Sequence, residues 1–208
     1  MTEVKVCGLT REEDVLAACA LGAAYVGFNF SDLSTRRVTP EIARRLAAAA
    51  TRGVRRVGVF VGESYPAIAE AIAAASLDLV QIHRPLCEED LECVPRPVLA
   101  VAHAGREGEI PPGPLLDRCA GILFDTSVSG VPGGTGVPFD WSVLEGRRWP
   151  VPLFVSGGLR SENVGESIRR TRPDVVDVAS GIESAPGAKD RGRMLRFFEA
   201  VRRADEAG

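Results

Sequence analysis

The sequence contains only two lysines, Lys5 and Lys189, although lysine and arginine together number 25. Enzymes that form a Schiff base with their substrate need a lysine amine in the active site, so this chain has few candidates for that chemistry. The formal net charge is -3, and no long block of like charges occurs. Binding of nucleic acid or of an anionic membrane needs concentrated positive charge, so neither kind of partner is expected.

Long apolar runs, closely spaced metal ligands and a secretion signal are also missing. No apolar stretch approaches the roughly 20 residues of a membrane-spanning helix, and the first residues resemble a strand rather than a signal peptide. The two histidines and five scattered cysteines include no CxxC pair, so we predict no metal site. Free thiols without a secretion signal predict a protein of the reducing cytoplasm.

Short apolar segments alternate with amphipathic, alanine-rich segments along the whole chain. We predict eight strands, at Val4–Cys7, Tyr25–Phe30, Arg56–Val61, Leu79–Ile82, Val98–Val101, Gly121–Phe124, Val151–Val155 and Val175–Val178. Apolar parallel strands with helices between them are covered on both faces, and eight such units favour a closed (β/α)8 TIM barrel over an open doubly wound sheet. With no linker or repeat in the sequence, residues 1–208 are predicted to form one domain.

Three helix boundaries carry specific signals. Thr10 followed by Glu13 matches a capping box and predicts that the first helix begins at Thr10. The pair Thr39-Pro40 predicts the start of the second helix, because proline is tolerated in a first turn. The last helix is predicted to place Leu195 and Phe198 on one face.

Glycine turns follow the last two predicted strands, where barrels of this class often bind phosphate. The seventh strand leads into Ser156–Leu159, which contains Gly157 and Gly158, and the eighth leads into Ser180 and Gly181. Glycine lets backbone N–H groups approach phosphate oxygens closely. Each turn alone is compatible with a tight connection, but their joint position favours a phosphate site.

An acid and a base are suggested by polar residues at the ends of the first and sixth strands. Cys7 lies on the same face as Lys5, whose ammonium would favour the thiolate and make Cys7 a usable base. Asp125 ends the sixth strand, where an apolar rim could raise the pKa of its carboxyl group. Each residue also has a plain structural explanation: Cys7 as a small core residue, and Asp125 as the start of a turn.

Further polar residues near strand ends could contact a substrate. Arg36 follows the second strand and could bind a carboxylate through a bidentate fork, or be a solvated surface charge. Gln81 and His83 end the fourth strand on one face and could line the pocket, although a structural hydrogen bond explains His83 equally well. The glycine-rich segment 129–136 follows Asp125 and is typical of a mobile cover over an active site.

Taken together, these segments resemble phosphoribosylanthranilate isomerases over essentially the whole chain, through their order and spacing. The matching segments are 5–10, 26–28, Ser34 with Arg36 and Val38, 58–61, 80–83, 125–126, 133–136, 139–141, 156–159, 162–164, 177–183, 186–187 and 189–190. The resemblance implies a small phosphosugar substrate and an acid/base Amadori rearrangement in tryptophan biosynthesis, without cofactor or metal.

The resemblance also implies residue roles. Asp125 matches the general acid that protonates the furanose ring oxygen, and Cys7 matches the general base that removes the proton from C2. Arg36 matches the residue that binds the anthranilate carboxylate, and the two glycine turns match the phosphate site. The sequence departs from the family pattern at Arg84, where glycine is common, and at Ala102 and Val137, where lysine is common.

Two other readings remain open at the level of sequence. Another phosphosugar barrel enzyme would need either a lysine at a strand end or metal-binding histidines and aspartates at several strand ends. A non-catalytic phosphate-binding barrel would keep the glycine turns but need not keep both Cys7 and Asp125. Because no exposed apolar patch stands out, we expect a monomer rather than a homodimer.

Overall fold

A computed structural model describes residues 1–103, 109–125 and 141–207, and in it eight parallel strands form a closed barrel. The strands follow one another around the ring in chain order, and β1 pairs with β8 to close it. They are β1 (Glu3–Val6), β2 (Tyr25–Asn29), β3 (Arg55–Phe60), β4 (Leu79–Ile82), β5 (Val98–His103), β6 (Gly121–Asp125), β7 (Leu153–Val155) and β8 (Val175–Val178). The predicted TIM barrel is confirmed.

Helices separate most of the strands and cover the outside of the barrel. They are α1 (Glu12–Leu21), α2 (Pro40–Ala49), α3 (Tyr65–Ala75), α4 (Glu88–Cys93), α5 (Gly113–Leu116), α6 (Val164–Thr171) and α7 (Arg191–Glu206). A short antiparallel hairpin, formed by β9 (Glu183–Ala185) and β10 (Ala188–Lys189), lies between β8 and α7. Within the described ranges, no helix combines the length and apolar character that crossing a membrane requires.

Alternation along the strands divides the apolar residues between two cores. In β5, Leu99 and Val101 belong to the interior of the barrel, whereas Val98, Ala100 and Ala102 pack in the layer between the strands and the helices. Both faces are buried, so nearly continuous apolar strands are stable only in this closed arrangement. The interior cluster consists of Tyr25, Val57, Leu79, Leu99, Val101, Leu123, Phe154 and Val175.

The helix boundaries agree only in part with the sequence signals. The oxygen of Thr39 accepts a hydrogen bond from the N–H of Ile42 and caps α2 as predicted. The capping box at Thr10 is wrong, because α1 begins at Glu12 and the Thr10 hydroxyl instead donates to the carbonyl of Gly187, 2.6 Å away. The Thr10 side chain, which the local sequence predicts to cap α1, therefore bonds to the β9–β10 hairpin, 177 residues further along the chain.

The last helix also packs differently from the prediction. Phe198 is buried, but Leu195 is exposed. The buried face instead includes Met194, Phe197 and Val201, which recur with Phe198 at intervals of three and four residues.

Candidate active site

Cys7 directly follows β1 and continues its pairing with β8. Its backbone N–H donates to the carbonyl of Val178 at 2.9 Å, and its side chain is half-buried. Lys5, two residues earlier, is in register with Tyr25 of the interior cluster, so Cys7 is on the face that points into the barrel. A Cβ atom at Gly27 would lie 2.9 Å from the Cys7 sulfur, so glycine at this position makes the space for the thiol.

A buried ion pair lies on the same interior face, next to Cys7. The ammonium of Lys5 is fully buried and lies 2.8 Å from Asp177 Oδ2 on the adjacent strand β8. Burial raises the pKa of the Cys7 thiol, and the positive charges of Lys5 and Lys189 oppose this increase without cancelling it. Lys5 thus favours the thiolate, but burial, together with the negative charge of Asp177, outweighs it.

Asp125 is the last residue of β6 and lies beside His83. Leu123 belongs to the interior cluster, so Asp125, two residues later, points to the same face. Its Oδ2 is 3.4 Å from His83 Nε2, and both side chains are mostly shielded from solvent. Two strands, β7 and β8, separate β6 from β1 around the ring, so the ends of β7 and β8 lie between Asp125 and Cys7.

His103, which the sequence analysis did not select, completes this side of the site. It pairs in register with Asp125, and its ring centroid is 5.8 Å from that of His83. Alternation in β5 could have identified His103. Leu99 and Val101 point into the barrel, and His103, two residues after Val101, lies on the same face at the rim.

Gln81 lies inside the barrel on β4, one alternation before His83. The side chain is 2% exposed, and its Oε1 has no hydrogen-bond partner among the residues that the structure describes. A buried amide oxygen of this kind is costly to leave unpaired, so it is available to a polar group that enters from the rim.

Arg36, in the loop between β2 and α2, reaches back over the end of β1. Its Nε and Nη2 donate to the two carboxylate oxygens of Glu183 at 2.8 and 2.7 Å. The side chain passes so close to Gly8 that a Cβ there would be 2.5 Å from Arg36 Cδ. One edge of the guanidinium is thus already occupied, and the edge that includes Nη1 is the one that could bind a ligand carboxylate.

The two glycine turns after β7 and β8 are in direct contact. Gly157 and Gly158 both have positive φ angles, of 88° and 63°, which other residues rarely adopt. A Cβ at Gly181 would lie 1.9 Å from the carbonyl oxygen of Leu159, so only glycine allows the turns to come this close. Ser180 begins the 3₁₀ turn that includes Gly181. The structure thus brings the turn that carries Gly157 and Gly158 against the turn that carries Ser180 and Gly181.

Two of the three departures from the family pattern, Arg84 and Ala102, lie among the described residues. Arg84 forms a bidentate ion pair with Asp90, which is fully buried and also accepts hydrogen bonds from Tyr65 and Cys87. Arg84 therefore holds α4 against the end of β4. Ala102 packs in the outer core and does not face the barrel interior. The third departure, Val137, and the glycine-rich segment 129–136 lie outside the described residues.

Comparison with known proteins identifies the family. Residues 4–200 match the sequence model of N-(5'-phosphoribosyl)anthranilate (PRA) isomerase. The N-(5'-phosphoribosyl)anthranilate isomerase of Pseudomonas fluorescens is 41% identical over 204 residues, which cover 98% of this chain and 97% of the relative.

Solved structures agree with this sequence match. Phosphoribosyl anthranilate isomerase from Thermotoga maritima superposes with a TM-score of 0.88 at 35% identity, covering 97% of this chain and 99% of that one. Monomers generated from that dimeric enzyme superpose with a TM-score of 0.84 at 34% identity and the same coverage. A related isomerase in complex with reduced 1-(o-carboxyphenylamino)-1-deoxyribulose 5-phosphate superposes at 0.80 with 34% identity and equal coverage. This chain belongs to the N-(5'-phosphoribosyl)anthranilate isomerase family.

Proposed function

We propose that this chain converts N-(5-phosphoribosyl)anthranilate to 1-(2-carboxyphenylamino)-1-deoxyribulose 5-phosphate, a step of tryptophan biosynthesis, with Asp125 as acid and Cys7 as base. The observation that supports these roles is the order of groups around the barrel rim. The glycine turns after β7 and β8 lie between Asp125 on β6 and Cys7 at the end of β1. A phosphate held by these turns would place its sugar between the acid and the base.

The proposed reaction begins with proton transfer from Asp125 to the furanose ring oxygen. The ring opens and leaves a cationic Schiff base between C1 and the anthranilate nitrogen. That positive charge acidifies the hydrogen on C2 and favours the Cys7 thiolate, which offsets the effect of burial on the thiol pKa. Cys7 removes the C2 proton to give an enolamine, which takes up a proton at C1 while the hydroxyl on C2 releases its proton to Asp125, and the product is the ketose. All the acid/base groups come from the chain, and no cofactor is required.

The remaining site residues are proposed to bind the substrate. Gly157, Gly158, Ser180 and Gly181 would hold the phosphate through backbone N–H groups. Arg36 would bind the carboxylate of the anthranilate ring. Gln81 on β4 and His83 directly after it would contact the polar groups of the sugar between them, because both continue the interior face of Leu79.

The proposal is tested with Cys7→Ala and Asp125→Ala, assayed by the change in anthranilate fluorescence as freshly prepared substrate is consumed. Each variant should lose about 100-fold or more of the turnover, because each removes one proton-transfer group. The exposed Cys93 provides the matched control, and Cys93→Ala should retain full turnover.

Circular dichroism should show the same fold for all three variants. Unchanged turnover in either active-site variant would contradict the assigned roles. Binding of the phosphosugar by the unmodified protein without turnover would favour a non-catalytic barrel instead.

We also propose that residues 1–208 form one catalytic domain that acts in the cytoplasm as a monomer. Pairing of β1 with β8 joins the two ends of the chain into one barrel, which supports a single domain. All five cysteines are free thiols, as expected in a reducing compartment.

A further inference from the structure

A buried lysine outside the proposed acid/base pair connects three parts of the barrel rim. Lys189 Nζ donates to the carbonyl of Cys7 at 2.6 Å, to the carbonyl of Ala179 at 3.1 Å and to Glu183 Oε1 at 2.8 Å. The Lys189 side chain has no exposed surface. Its three donors are therefore all used, and they join the ends of β1 and β8 to the β9–β10 hairpin.

Glu183 links this lysine to Arg36. Each Glu183 oxygen accepts one bond from the Arg36 guanidinium, and Oε1 also accepts from Lys189 and from the N–H of Gly187. Burial alone would raise the pKa of Glu183, but hydrogen bonds from Arg36 and the charge of Lys189 outweigh burial and hold the pKa below its ordinary value. Glu183 is therefore a buried carboxylate between two cations.

The hairpin that carries both residues is itself fixed to α1. The N–H of Lys189 donates to Asp14 Oδ2 at 3.1 Å, and Arg11 donates to the Lys189 carbonyl at 2.9 Å. Arg11 and the buried Asp14 are joined by a bidentate ion pair. The orientation that Glu183 gives to Arg36 is thus set by a framework of paired groups and not by a single contact.

We propose that Glu183 is a positioning residue: it fixes Arg36 for the aromatic carboxylate of the substrate and, with Lys189, couples carboxylate recognition to the placement of Cys7. This inference rests on the proposed function. An arginine side chain has many rotamers, and fixing one before the ligand arrives removes an ordering cost from binding. The bidentate bond to Glu183 leaves the Nη1 edge of the guanidinium for the substrate.

The first experiment measures KM and kcat for Glu183→Gln, Arg36→Met and the double variant. Glu183→Gln should raise KM by about tenfold, the loss expected when a charge-assisted anchor is removed, with a smaller change in kcat. If Glu183 acts through Arg36, the double variant should have the KM of Arg36→Met alone. An unchanged KM in Glu183→Gln would overturn the proposal. So would a double variant whose increase in KM equals the product of the two single-variant increases.

A matched control exists at the opposite end of the barrel. Arg56, at the start of β3, forms a similar bidentate pair with Asp78 at 2.9 and 3.1 Å. Asp78→Asn removes the same kind of anchor away from the site and should leave KM unchanged. If Glu183→Gln fails to fold, Glu183→Asp keeps the charge beside Lys189 but shortens the reach to Arg36, and the same rise in KM is expected.

Measurements of ligand binding test the role of Glu183 independently of the proposed function. Two product-like phosphosugars are compared by calorimetry, reduced 1-(o-carboxyphenylamino)-1-deoxyribulose 5-phosphate and its phenylamino counterpart without the carboxylate. Glu183→Gln should weaken binding of the first about tenfold and leave the second unchanged. Equal weakening of both ligands would contradict a role through Arg36. Absence of turnover in the unmodified protein would contradict the proposed function but not this binding difference.

Discussion

At the scale of single residues, both lysines of the chain lie close to Cys7. Lys5 and Lys189 have completely buried side chains, and each is paired with its own carboxylate, Asp177 or Glu183. Lys5 is on the interior face with Cys7, and Lys189 binds the carbonyl of Cys7 itself. In a chain that otherwise uses arginine, lysine occurs where a compact cation is completely buried.

The pKa of Cys7 gives a prediction at this scale. Because burial raises the pKa and only the thiolate is alkylated, iodoacetamide should modify Cys7 slowly at pH 7. The rate should rise with pH to a midpoint above about 8.5, the ordinary value for a thiol. Lys5→Met should move this midpoint to still higher pH, since the Lys5 charge lowers the thiol pKa. Peptide mass spectrometry measures the modification, with the exposed Cys87 as an internal reference.

The outcome discriminates between two descriptions of the thiol. A midpoint below the ordinary value would mean that the two cations outweigh burial and that Cys7 is a thiolate in the empty site. An unchanged midpoint in Lys5→Met would show that Asp177 cancels the influence of Lys5 completely.

At the scale of elements, the glycine turns after β7 and β8 depend on contact with each other. Gly181→Ala would place a methyl group where the Leu159 carbonyl now lies, so the two turns must separate. We expect KM to rise at least about tenfold and the protein to lose about 1–3 kcal/mol of unfolding free energy through overpacking.

Steady-state kinetics and urea unfolding measure these two effects. Gly113→Ala is the control, because a Cβ at Gly113 meets no atom within 4 Å. A Gly181→Ala variant with normal KM would mean that the phosphate does not bind where these turns meet.

At the scale of the whole molecule, the surface leads us to predict a monomer. The large apolar side chains that are exposed in the described parts belong to different elements, and they are Met1, Leu16, Leu33, Ile42 and Leu195. Stable homodimers usually bury a continuous apolar patch, which these scattered residues do not suggest. Sedimentation velocity should therefore give a mass near 22.1 kDa. A species of twice that mass, as in the dimeric Thermotoga maritima relative, would contradict the prediction.

Much of this molecule follows from periodicity and local chemistry alone. The eight apolar segments, their alternation and the glycine turns after the last two strands were enough to predict the barrel and the end at which the site is proposed. They also placed Cys7 on one face with Lys5 and Gln81 on one face with His83, because side-chain direction alternates along any strand. These features depend on neighbours within a few residues.

Only the tertiary structure decided how the charged groups are paired. Glu183 and Arg36 bond to each other although they are 147 residues apart in the sequence, and Lys189 and Cys7 do so although they are 182 residues apart. The same applies to Thr10, which bonds to the hairpin and not to its own helix. Closing the barrel brings β8 and the hairpin beside β1, and buried charges then take whichever partners lie within hydrogen-bond reach. No local pattern encodes that choice, because the energy of a buried ion depends on its surroundings in space.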